Sequence, residues 1–286
     1  MKIADFSGRR LLGLCLLCLA TSAMAQSTAS LSFAEGKVLL LRGAVTYGME
    51  AGVKLETGDM LETEVKSQAQ VEFADGLILN LGPQSKLYLL STTPAAGKPV
   101  VVALASGWLK AAVPSGRKGA ARDLQYLLPT LEVDTKDATV VLHAASPVDE
   151  AFIESGAATA AQVAPDGAKG QALALKGGDY VSLKDGAVAI GRPPAGFFSG
   201  VPRHYMDNLP ALYAKVKDMQ REPAREHDTT YAEVGVWLRA SKTVRQGLLA
   251  RYQSRVKDPE FHGGLIANLS AHPEWERVVG DRKSVV

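Results

Sequence analysis

Residues 55–90 read LETGDMLETEVKSQAQVEFADGLILNLGPQSKLYLL, and their turn signals decide the fold class. Gly58-Asp59 opens the stretch with a turn. An alternating strand follows, then Asp75-Gly76, then a second strand that ends at Gly82-Pro83. Asp-Gly between two apolar runs marks a hairpin, because both central residues of a two-residue turn take positive φ. Such a loop places Phe73 opposite Ile78 and Val71 opposite Asn80 on one face. Leu77, Leu79 and Leu81 then lie on the other, opposite Ala74, Glu72 and Gln70. The second strand is apolar on both sides and belongs inside a β stack; the first has a wetter face.

Outward from this hairpin the β signals continue. Residues 38–41, 87–90, 100–104, 108–113, 138–142 and 180–183 all read as strands, with Gly, Pro, Asp or Ser between them, as in all-β domains. Leu55-Glu-Thr-Gly-Asp is echoed by Leu175-Lys-Gly-Gly-Asp, and Asp75-Gly76 by Asp185-Gly186. Gly36, Gly107 and Gly156 each stand just ahead of a strand-like segment. This repetition favours a β-solenoid or sandwich over a unique barrel. The basic stretch at 114–122 and the Ala/Gly-rich stretch at 157–169 read as exposed loops.

At Arg192-Pro-Pro-Ala-Gly the pattern changes, and residues 192–200 read as a linker. Helical spacing follows. Tyr231, Val234 and Leu238 share a face behind Asp228 or Thr229 as N-cap. Ser241 caps a helix with the stripe Val244, Leu248, Tyr252 and Val256, and Asp258-Pro259 opens another that carries Phe261, Leu265 and Leu269 up to His272-Pro273. A further helix is expected after Pro210.

The N-terminus reads as an export signal: Lys2, Arg9 and Arg10, an apolar run at 11–20, then Ala23-Met24-Ala25. That run is shorter than the roughly 20 residues a membrane span needs. Cys15 and Cys18, the only cysteines, would leave with residues 1–25, and neither follows the small residue that lipid attachment requires. Without them the chain holds no disulfide, thiol nucleophile or cysteine metal site. Removing Lys2, Arg9, Arg10 and Asp5 leaves 29 basic and 29 acidic residues. Residues 26–191 carry 14 basic and 18 acidic groups and residues 192–286 carry 15 and 11, a balance suited to two mutually attracting parts and not to a nucleic-acid binder.

The order of turns resembles the FecR domain, named for the iron-dicitrate regulator of Gram-negative bacteria. The residues that carry the resemblance are Gly58-Asp59 with Leu61, Ala69-Gln-Val-Glu-Phe73, Asp75-Gly76, the strand at 77–81, Pro83 and Ser85, with Ser106-Gly107-Trp108-Leu109 as the next Gly-led strand. It is good over residues 31–115 and thin from there to 190. The resemblance implies an all-β periplasmic module that works by contacting proteins. In FecR itself the module passes a signal from an outer-membrane transporter to a cytoplasmic sigma factor. This chain departs from that plan, with an export signal where FecR has a cytoplasmic domain and a membrane helix, and with a helical C-terminal part.

No motif for catalysis or for a cofactor stands out. Asp59 and Asp75 adjoin glycines in turns, where Asp accepts backbone N–H bonds. The five histidines show no metal-ligand spacing, and Gly196-Phe-Phe-Ser-Gly200 is not a nucleophile elbow. Trp275, after a proline near the end, is the best candidate for an exposed aromatic that contacts a ligand.

The expectation is therefore a mainly β protein, a FecR-like all-β domain of solenoid or sandwich type at 26–191, with a helical module at 201–286. The expected structural turns are Gly58, Asp59, Asp75 and Gly76. It is expected in the periplasm, not embedded in the membrane, acting without catalysis, metal or cofactor through contacts with envelope proteins in signalling or assembly. A peptidoglycan or glycan binder using Trp275 is the alternative, and a hydrolase built from scattered residues comes third. Intact-mass spectrometry of the exported protein should give residues 26–286 with no acyl group; a retained Cys15 or Cys18 would refute the signal reading.

Overall fold

The computed structural model describes residues 29–92, 99–113 and 123–280; the expected export signal and the basic loop at 114–122 lie outside them. Sixteen strands among these residues join in one hydrogen-bonded sheet. The first eight are β1 Ala29–Glu35, β2 Val38–Arg42, β3 Val45–Gly48, β4 Lys54–Leu55, β5 Met60–Thr63, β6 Gln68–Phe73, β7 Ile78–Leu81 and β8 Lys86–Ser91. The rest are β9 Val100–Ala112, β10 Asp123–Leu127, β11 Leu131–Ala145, β12 Val148–Gln162, β13 Leu173–Lys176, β14 Tyr180–Lys184, β15 Ala187–Gly191 and β16 Ala224–Asp228.

The sheet consists of two ladders. One runs β16-β3-β2-β5-β8, then through the first half of β9, all of β10 and the first half of β11 to the last half of β12 and all of β13. The other runs β4-β1-β6-β7, then through the last halves of β9 and β11 to the first half of β12, β14 and β15. Leu40, Leu61, Leu87 and Val102 of the first ladder meet Leu31, Val71, Leu79 and Val181 of the second in one core.

Three long strands belong to both ladders, and each bends where it crosses. In β9 the bend is Gly107, with φ +84°, where a Cβ would stand 2.4 Å from Ser85 Oγ. That hydroxyl accepts Trp108 N–H at 2.8 Å and donates to Trp108 O at 3.0 Å, which fastens the corner. The bends of β11 and β12 face each other at Asp137 and Gly156, and the pairing register shifts there. Residues 157–162, expected in a loop, are the last part of β12. Ala158 and Ala160 are buried there beside Thr135 and Val133, so pairing overrides the weak strand propensity of alanine.

The β6–β7 hairpin differs from expectation by one residue, with Gln70 opposite Asn80 and Glu72 opposite Ile78. In its turn only Gly76 takes positive φ, at 95°. Gly76 N–H donates to Phe73 O and Phe73 N–H to Leu77 O, both at 2.9 Å. The loop is thus Ala74-Asp75-Gly76, a type I turn closed by a left-handed glycine, instead of a two-residue turn. The shift puts Ala69, Val71 and Phe73 beside Leu77, Leu79 and Leu81 in the core and turns Gln70, Glu72 and Asn80 outward.

That outer polar face is nonetheless buried, because the C-terminal chain crosses it. After α1 (Ala195–Gly200), the chain up to α2 (Tyr213–Val216) lies over β6, β7 and β9. Glu72 accepts Leu212 N–H at 2.8 Å and Tyr213 N–H at 2.9 Å. Gln70 Nε2 donates to Pro210 O at 2.7 Å, and His204 Nε2 lies 3.0 Å from Asn80 Oδ1. Lys110, 1% exposed, donates to Tyr205 O at 2.6 Å and pairs with Glu154 at 2.8 Å.

The expected linker at 192–200 therefore contains a helix, α1, held by buried Phe197. The part beyond it is not purely helical, since β16 extends the sheet beside β3. Its sequence AREHD carries no strand pattern, and pairing with an open edge makes it one. The helices α3 (Tyr231–Leu238), α4 (Lys242–Arg245), α5 (Leu248–Tyr252), α6 (Pro259–Ala267) and α7 (Glu276–Gly280) cover the other outer face. Leu39, Leu41, Met60 and Tyr88 pack there against Trp237, Tyr252 and Phe261, which is why β2 is apolar on both sides. The cap of α3 is Thr230, one residue beyond the expected pair, in a reciprocal box with Glu233. The stripe from Val244 to Val256 is buried as expected, but its helix breaks at Gly247, which is left-handed at φ 83°. Asp258 caps α6 as expected, through Phe261 N–H at 3.0 Å.

A β-branched residue at Gly76 meets left-handed strain of roughly 1–2 kcal/mol. Gly76→Val should lower the melting temperature by about 2–8 °C; an unchanged melting curve would contradict this turn.

Candidate functional site

Gly58 takes φ 96°, and Asp59 beside it is buried. The Asp59 carboxylate accepts Arg42 Nε at 2.8 Å and Nη2 at 2.6 Å, and also Glu56 N–H at 2.8 Å. The hydrogen bond to Asp59 and the attraction of its charge outweigh burial and raise the pKa of the Arg42 guanidinium. Asp75 Oδ1 accepts Leu77 N–H at 3.4 Å within its own turn. Each carboxylate thus accepts from the backbone of its own turn. Among the described residues no three of His, Cys, Asp and Glu stand together as a metal site.

Trp275 is not exposed. It is completely buried among the helices, in the cluster that includes Tyr252, Phe261 and Leu265, with the His272 ring 6.4 Å away. A short turn from Pro273 leads into α7 and folds the indole inward, where its large apolar surface is covered. The residue expected to contact a ligand is a core residue.

The structure also assembles a polar group around Glu150 that no sequence motif revealed. The Trp108 and His143 rings stack at 3.8 Å and 11°, and His143 Nδ1 lies 2.7 Å from Glu150 Oε2. The Tyr180 hydroxyl donates to the other Glu150 oxygen. His143 and Glu150 are cross-strand partners in the β11–β12 hairpin, so only the register of that hairpin could have shown them. Burial raises the Glu150 pKa, but the bonds from His143 and Tyr180 outweigh it and hold the carboxyl below its usual range. Burial and the same carboxylate push Tyr180 up to about 12. Phe197 of α1 packs on Trp108 and Tyr180 at 5.5 and 5.2 Å, so the group fastens α1 to the sheet.

Two open surfaces are largely apolar. Between the first ladder and the helices lies a groove of 710 Å³ walled by Ala103, Leu127, Trp237, Ala240 and Val244. At the end of the second ladder, β15 pairs, among the described residues, with β14 on one side only. All five of its residues, AVAIG, are exposed, with Val188 at 39% and Ile190 at 50%. Ile190 stands opposite Val181 and Val188 opposite Leu183, so both extend the apolar face of the core beyond its cover. The end formed by β16 is charged instead, with Arg225 paired to Asp228 at 2.6 Å. Proteins blunt sheet edges with charge, proline or bulges. β16 is blunted and β15 is not.

Among the described residues no helix is long and apolar enough to cross a membrane. Two crystal structures of a candidate anti-sigma factor from Parabacteroides distasonis superpose with TM-scores of 0.40 and 0.39 at 10% identity, covering 49% of this chain. The match spans 62% of that protein, less than two thirds of its length. No curated protein matches the chain.

The folded pKa of Glu150 lies below the unfolded value, so its stabilisation is present above that value and fades as pH falls through the folded one. Glu150→Gln should therefore flatten the fall in melting temperature between about pH 6 and about pH 3. Parallel acid limbs in the two proteins would show that this carboxylate contributes nothing.

Residues 59–169 match the family described as FecR protein, and by that region the chain is FecR-like.

Proposed function

We propose that this chain is an exported, periplasmic FecR-like protein that acts by protein–protein contact in envelope signalling or assembly, not by catalysis. The observation that carries the reading is β15, an uncharged, exposed strand that ends the second ladder, where β16, at one end of the first, is charged. An open edge recruits an extended segment by main-chain hydrogen bonds, and alternate side chains add selectivity. The match to the FecR family over residues 59–169 supports a module of this kind. Two ladders around one core suit the sandwich form of that module, with residues 26–191 as its extent. The glycan alternative loses the residue it rested on, since Trp275 is in the core.

A photo-crosslinking residue at Val188 in living cells should capture one or a few specific envelope proteins, while the same probe at Glu226 in β16 should not. The purified protein should stay in the supernatant when peptidoglycan is sedimented. Co-sedimentation with peptidoglycan, together with no adduct at Val188, would overturn the reading in favour of a polymer binder.

A further inference from the structure

The edge at β15 has a self-complementary sequence, and we propose that it takes a second copy of this chain, strand against strand, in a symmetric antiparallel pair. This rests on the reading of β15 as a contact edge and names its occupant. An antiparallel pair centred on Ala189 sets Val188 opposite Ile190 of the second copy and Ala187 opposite Gly191, twice over by symmetry. Val188 and Ile190 are two residues apart and share a face. The pair therefore forms one strip of four β-branched side chains, continuous on both sides with Val181 and Leu183 of the two cores.

Charge agrees with this register. Asp185 and Arg192 flank the strand, both exposed and neither in an ion pair among the described residues. Pairing about Ala189 brings the Arg192 end of each copy to the β14–β15 turn of the other, where Asp185 stands, so opposite charges meet at both ends. A parallel pair would instead set Asp185 beside Asp185 and Arg192 beside Arg192. No proline, lysine or bulge interrupts residues 187–191, the devices that keep edges apart. Backbone donors and acceptors on the free side of β15 gain partners without rearrangement of the strand. A strand pair of this length buries less than the roughly 1,000 Å² of a permanent interface, so the dimer is reversible and concentration-dependent.

The test is the mass of the full exported chain by light scattering from about 1 μM to about 500 μM. The mass should rise toward twice the monomer's. Ile190→Lys and, separately, Ala189→Pro should hold it at the monomer value, while Glu226→Lys in β16 should leave the rise intact. Melting curves identify any variant that fails to fold, and a second readout does not depend on those variants. In a chain with Cys15 and Cys18 changed to Ser, Ala189→Cys faces itself across the axis and should form a disulfide dimer under mild oxidation, whereas Glu226→Cys should not. A monomer at all concentrations, or a dimer that ignores both β15 variants and gives no Ala189→Cys disulfide, overturns the inference. If the chain is monomeric yet Val188 crosslinks to another envelope protein, the inference fails and the proposed function stands. If Val188 captures nothing and the chain is monomeric, both fail.

Discussion

Three strands that must lie in two layers at once govern this structure. β9, β11 and β12 each run through one ladder, bend, and continue in the other, so the layers cannot separate without breaking backbone pairs. The bends need residues that tolerate left-handed backbone or close approach, and Gly107 and Gly156 occupy two of them. Ser85 completes the first by bonding both polar groups of Trp108, so the corner leaves no orphan N–H or carbonyl there. Everything else hangs from these crossings: the single core between the ladders and the overhanging edge at β15.

The second constraint is polar. Glu72, Gln70, Asn80 and Lys110 are buried because a segment more than ninety residues away in sequence lies over them. A buried carboxylate or ammonium is tolerated only when paired and bonded, and leaving one unsatisfied costs several kcal/mol. Glu72 is met by two backbone N–H groups, and Lys110 by Glu154 and two carbonyls. The geometry admits one position for that segment, since a slip by one residue would break every one of these bonds. These side chains fix where the C-terminal chain lies more than they strengthen the fold.

Much of the sheet was legible from local rules. Turn residues and alternation gave the strands around Phe73, Leu79 and Tyr180, and Asp258-Pro259 gave the start of a helix. What failed was decided at long range. The Asp75-Gly76 turn took one residue more than the dipeptide suggested, because only Gly76 adopts positive φ, and every facing pair in that hairpin moved. β16 is a strand only because β3 offers it an edge. Trp275 looked exposed by position and is buried by the helices that fold over it. The His143–Glu150–Tyr180 chain spans three strands, and its residues meet only once their registers are known. The open edge of β15 was invisible for the same reason: a sequence does not say which strand will be last.

The crossing of the C-terminal chain over both outer faces has a temporal side. A polypeptide that emerges N-terminus first presents β1 to β15 before residues 195–280 arrive to cover them. During that interval Leu39, Leu41, Met60 and Tyr88 on one face have no apolar cover. Glu72 and Lys110 on the other still hold their water. A half-made sheet of this sort, with a bare apolar side and an unblunted border, is a species prone to join its neighbours wrongly. The last third of the chain is thus the part that ends this exposure, and a molecule interrupted before α3 would resemble a folding intermediate more than a smaller protein.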